Sequence, residues 1–145
     1  MGIAQRECDE AICCRMIKNS LIHVILPLFI GGLIYWAARP SSLAFSQDIM
    51  PLIDAKYVPN WVLFNLPDGL WTYALMSFTL LLWRDTPSVF GAKFWIITAF
   101  LLGIALEFGQ YLHLIKGTFD WLDVLTYLFF NCLSILIFKF KPCEK

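Results

Sequence analysis

Four blocks of apolar residues dominate the chain, and polar residues gather at its ends and between the blocks. The blocks cover residues 20–38, 66–83, 94–114 and 121–138. Each holds roughly 18–21 residues, enough to cross a hydrocarbon core of about 30 Å as a helix. Each is apolar all round, whereas a helix on a soluble domain carries one apolar stripe. The pattern predicts an all-α integral membrane protein, a four-helix bundle. Residues 1–19 and 139–145 read as polar tails, and 20–138 as the transmembrane domain. The third and fourth helices are expected to form an antiparallel hairpin through a short loop.

The first block reads as a retained helix rather than a cleaved signal. It exceeds the usual apolar region of a signal peptide, and Glu7, Asp9 and Glu10 precede it. Pro27 and the Gly31–Gly32 pair predict a bend or loosening within it. The long first loop carries Pro40, Pro51 and Pro59 and ends in an apolar stretch, Val58 to Phe64.

Composition sharpens this reading. Of 145 residues, 59% are hydrophobic and only 15% charged, and the mean hydropathy is +0.69. Soluble domains average about 25% charged residues. The formal net charge is +0. With no basic stripe and no recognition motif, nucleic acid is not an expected partner. Cys8, Cys13, Cys14 and Cys143 lie in the tails, and Cys132 lies in the fourth block. Their spacing matches no zinc site, and reduced thiols are expected in cytoplasmic tails.

Lysine and arginine set the expected orientation. Arg6, Arg15, Lys18, Arg84, Lys93, Lys139, Lys141 and Lys145 share one side; Arg39, Lys56 and Lys116 lie on the other. Eight against three places both ends in the cytoplasm, N-in/C-in. Trp36, Trp71 and Trp121 then fall at outer helix ends, and Trp83 and Trp95 at inner ends, where indole rings favour the interface.

Against this apolar background, polar side chains collect toward the outer side. Asp68 follows Pro67 near the start of the second block. Glu107 and Gln110 lie in the third, and Lys116, Asp120 and Asp123 lie in the last loop and at the start of the fourth. Glu107 sits about 10 Å below the outer end of its block at 1.5 Å per residue. An ionisable group at that depth costs on the order of 2–3 kcal/mol to insert and is by default functional. The alternative is a packing role, hydrogen-bonded to Gln110 or a neighbouring helix. Asp68 and Asp120 also suit helix starts: Pro67 fits a first turn, and Asp120 fits an N-cap. Asp123, a turn further in, leans functional. His23, His113 and Cys132 read as interfacial or packing residues.

The segment from Glu107 to Asp123, with Gln110 three residues after the Glu and Asp120 three before the second Asp, resembles the signature of the VanZ-like family. These are small bacterial membrane proteins named for an accessory teicoplanin-resistance protein. Pro67-Asp68 is similar to the family's Pro-Asp at the start of a preceding helix. The likeness covers the chain from Pro67 onward, as a divergent member: Gly117, beside Lys116, stands where the family usually has an Arg. The resemblance implies the bacterial cytoplasmic membrane, the cell envelope and glycopeptide tolerance. The expected function is an acidic outer-leaflet site that binds an envelope precursor or an amphiphilic antibiotic, formed by Glu107, Gln110, Asp123, Asp120, Asp68 and Lys116. Membrane lipids are the other expected partners. Two alternatives stand beside it: a proton-coupled transporter or subunit with Glu107 as proton site, and a carboxylate-based membrane enzyme. No catalytic residue, cofactor or metal site is assigned.

Overall fold

In the computed structural model, the described residues (15–38, 58–84 and 89–139) form four helices and no strand. The tail cysteines Cys8, Cys13, Cys14 and Cys143 and the loop residues 39–57 lie outside them.

Helix α1 spans residues 15–38, and its cause of irregularity is legible in the sequence. Pro27 has no N–H to offer the carbonyl of His23, and its ring crowds that carbonyl. The helix answers by widening. Leu21–Ile25 is a π-helical segment closed by an N–H bond from Leu26 to the Leu21 carbonyl, after which Leu26–Ala38 is regular α-helix. The loosening expected at Pro27 therefore takes the form of a π turn centred on His23.

Helix α2 is Asn60–Leu82, starting six residues before the apolar block. Pro59 opens it: its carbonyl accepts the N–H groups of Val62 at 3.0 Å and Leu63 at 3.3 Å. Pro67 is therefore inside the helix and fully buried, not at its first turn. This corrects the capping reading of Asp68, which sits two turns from the N-terminus, beyond the reach of the dipole end. The start moves because Leu63 and Asn65 are both buried against neighbouring helices, so packing extends the helix past what the apolar pattern marks.

Helix α3, Val89–Tyr111, stops short of the apolar block's end at Leu114. His113 adopts a left-handed conformation, φ 57°. The Leu114 N–H bonds the Gly109 carbonyl and the His113 N–H bonds the Gln110 carbonyl, both at 2.9 Å. This is a Schellman cap, with His113 in the place glycine usually takes. Helix α4, Trp121–Lys139, starts where the pattern puts it. Asp120 caps it, its Oδ1 accepting the Leu122 N–H at 2.9 Å.

Helix α2 is central and packs against the other three. Side-chain pairs fix the directions. His23–Tyr73 and Tyr35–Asp68 run α1 antiparallel to α2, while Asn65–Asp123 and Ser77–Ser134 run α4 parallel to α2. Asn131–Phe100 and Asp120–Glu107 make α3 and α4 the expected antiparallel hairpin.

The bundle buries polar side chains among its apolar ones and turns large apolar side chains outward. Phe90 is 85% exposed and Trp121 71%, while Asn131, Ser77 and Ser134 are 0% exposed. A soluble domain would invert this. Three helical stretches are long and apolar enough to cross a membrane: Arg15–Ala37, Phe90–Tyr111 and Trp121–Phe138. That is the surface of a membrane protein. Helix α2 has the length but not the apolarity of the other three, because Asn65, Asp68, Ser77 and Thr79 lie along it.

Candidate functional site

Four carboxylates meet at one end of the bundle. Glu107 of α3 is buried, at 3% exposure; Asp68 of α2 and Asp123 of α4 are half-buried; Asp120, at the α4 cap, is exposed. Asp68, Asp120 and Asp123 all lie close enough to act electrostatically on Glu107. The convergence expected from the sequence is present.

Each acid accepts one identifiable hydrogen bond. Tyr35 of α1 donates its hydroxyl to Asp68 Oδ1 at 3.0 Å, and Asn65 of α2 donates Nδ2 to Asp123 Oδ1. The Asp120 backbone N–H reaches Glu107 Oε2 at 3.3 Å, and Asp120 itself takes the Leu122 N–H. Glu107 thus ties its helix to the start of α4, a bond across the hairpin rather than to Gln110. A carboxylate taken out of water needs such donors, and backbone N–H groups at a helix start supply them without a counter-ion.

The other two expected site residues lie apart. Gln110 is half-buried, its amide so close to Gly117 that a Cβ there would come within 2.6 Å of it. It braces the loop. Lys116 is exposed and forms no ion pair with a described residue.

Three members escaped the sequence reading: Tyr35, Asn65 and Tyr127. Tyr127 is buried at 8% exposure, with its hydroxyl in the electrostatic field of Asp68, Glu107 and Asp123. Signals existed for two of them. Asn65 is three residues before Asp68, and Tyr127 four after Asp123, so each pair shares a helix face. Tyr35 carries no such signal, because its partner lies on another helix.

Close helix contacts hold the cluster. A Cβ on Gly69 would meet the Phe130 ring at 2.4 Å and the Thr126 methyl at 2.7 Å, and one on Gly103 would meet the Tyr127 ring at 3.0 Å. The lack of a side chain at Gly69 lets α4 approach this near to α2, and Gly103 keeps the Tyr127 ring tight against α3. Beside the cluster, a groove of about 330 Å³ runs between α2 and α3, lined by Asp68, Thr72 and Tyr127 and by apolar residues including Trp71, Leu75, Leu102 and Leu106. Among the described residues, no group of three or more His, Cys, Asp or Glu is placed to hold a metal ion. No family model matches the chain, and no curated protein or solved structure matches it either.

Proposed function

We propose that the chain is a bacterial cytoplasmic-membrane protein that binds an amine-bearing amphiphile, an envelope precursor or a lipophilic antibiotic, at its outer acid cluster. The observation that carries this reading is the position of Asp68 in the wall of an otherwise largely apolar groove. A cation placed on Asp68 and an apolar body laid along Trp71, Leu75, Leu102 and Leu106 would use both halves of it. The volume, about 330 Å³, is at the small end of ligand sites, which suits one arm of a larger amphiphile. The resemblance to the VanZ-like family supports the envelope setting and a contribution to glycopeptide tolerance.

In this reading the chain crosses the membrane four times, N-in/C-in. Helix α2 has 23 residues and pairs with α1 both at His23–Tyr73 and at Tyr35–Asp68, so it occupies the same slab as α1. Asn65, Asp68 and Ser77 find partners on neighbouring helices and Thr79 bonds the Leu75 carbonyl of its own helix, which offsets the cost of carrying them through lipid. The side with eight lysines and arginines faces the cytoplasm, which puts the acid cluster in the outer leaflet.

The test is binding of a fluorescent lipoglycopeptide, and of simpler cationic amphiphiles, to the purified full chain in nanodiscs. Asp68→Asn should weaken binding roughly tenfold, equivalent to about 1.4 kcal/mol. A wild-type protein that shows no saturable binding across the panel defeats the reading. Equal affinity in wild type and Asp68→Asn removes this groove as the site. In a deletion strain, restored tolerance by wild type but not by Asp68→Asn, at equal membrane levels, extends the result to the cell.

A further inference from the structure

Away from the acid cluster, polar side chains follow one another through the middle of the bundle, and two pairs of them are hydrogen-bonded between helices. At its far end His23, half-buried on α1, lies with Nδ1 2.7 Å from the Tyr73 hydroxyl of α2. Ser77 lies four residues along α2 from Tyr73, one turn away on the same face. Ser77 Oγ is 2.9 Å from Ser134 Oγ of α4, and neither serine has any exposed surface. One turn along α4 is Asn131, also fully buried, which donates Nδ2 to the Phe100 carbonyl at 3.3 Å. Its Oδ1 accepts no hydrogen bond from any described residue. A turn further is Tyr127, within reach of the charges of Asp68, Glu107 and Asp123.

The spacing makes this a line rather than scattered pairs. Asp123, Tyr127, Asn131 and Ser134 follow one another at intervals of four, four and three, so they share one face of α4. Packing through polar pairs explains Ser77–Ser134, but not an acceptor left unsatisfied in the same core, since buried polar atoms are almost always bonded. The π turn around His23 marks the other end, and such turns recur at functional sites.

We propose that this line is a proton path joining His23 to the acid cluster. Hydroxyls and imidazole both donate and accept, and in His23–Tyr73 and Ser77–Ser134 either atom can be the donor. Each group releases its own proton to the next as it takes one from the last. One proton enters at one end as one leaves at the other, and only O–H and N–H bonds change. The step between Ser134 and Tyr127 requires a bridging water, for which Asn131 Oδ1 offers the unsatisfied acceptor. Intramembrane chains of this kind are how pumps and transporters move protons. The path does not depend on what the acid cluster binds.

The purified full chain in liposomes holding a pH-sensitive dye, under a potassium diffusion potential set with valinomycin, tests this directly. Wild type should acidify the lumen several-fold faster than protein-free liposomes. Ser134→Ala and Asn131→Leu should each return the rate to that baseline, while Leu101→Ala, on the exposed side of α3, should keep the wild-type rate. A wild-type rate equal to the baseline overturns the proposal, as does an undiminished rate in both path variants. Should Asn131→Leu fail to fold, Ser134→Ala decides alone, since it removes a single oxygen.

Discussion

Helices α2 and α3 are the same length, 23 residues, and the bundle uses them in opposite ways. Along α2, buried positions come from several sides of the helix, from Leu63 to Leu81, and they include Asn65, Tyr73, Ser77 and Thr79. Along α3, most large side chains face outward, and Glu107 is its one buried charged residue. The apolar helix is thus the peripheral one, and the more polar helix is the core. In water the ranking would be reversed. Lipid rewards an apolar surface, and a helix shielded by three others can carry the polar groups that bind the bundle together.

Substitutions can break or sharpen this contrast. The largest difference is expected between Met76→Ala on α2 and Leu101→Ala on α3. Met76 has no exposed surface, and its truncation leaves a cavity costing about 2–4 kcal/mol. Leu101 is 49% exposed, and its loss should stay within about 0.5 kcal/mol. Denaturant unfolding in a fixed detergent measures both, and equal losses would mean α2 is not the core helix.

Glycines give the next contrast. Gly69→Ala on α2 drives a methyl into the Phe130 ring and should destabilise by about 1–3 kcal/mol. Gly32→Ala on α1 meets nothing within 4 Å and should stabilise by up to about 1 kcal/mol through helix propensity. Opposite shifts in melting temperature are the expected result, and a Gly69→Ala protein that melts no lower than wild type would show that α4 does not press against α2.

Smaller effects come from the ends of the hairpin. Asp120→Ala should cost about 1 kcal/mol and speed hydrogen exchange at the Leu122 amide, because the cap bond is lost; unchanged exchange there would argue against the cap. The smallest change should follow His113→Gly. It relieves a left-handed residue of its Cβ conflict, partly offset by the greater freedom of glycine in the unfolded chain, for a gain of about 0.5 kcal/mol. A lower melting temperature for this variant would contradict the Schellman end of α3.

Much of the candidate site was legible because its acids are anomalies. Asp68, Glu107, Asp120 and Asp123 stand out in apolar surroundings, and counting along four antiparallel segments puts them at one end. Gln110 and Lys116 share that end by the same count, yet one braces Gly117 and the other projects from the loop. Depth is readable from sequence position, but the rotation of each helix about its axis is not. Tyr35 was hidden for that reason: its partner lies 33 residues away on another helix.

By itself, the sequence determined that the described residues are helical and membrane-suited, because long apolar blocks have few other solutions. It also determined where α1 must widen, since Pro27 removes a backbone donor and crowds a carbonyl. Tertiary structure alone decided that α2 is central and begins at Asn60, that α3 ends on His113, and which donor answers each acid. Those outcomes depend on close approach at Gly69 and Gly103 and on helix rotation, and both are set by several packed helices at once rather than by any local stretch of chain.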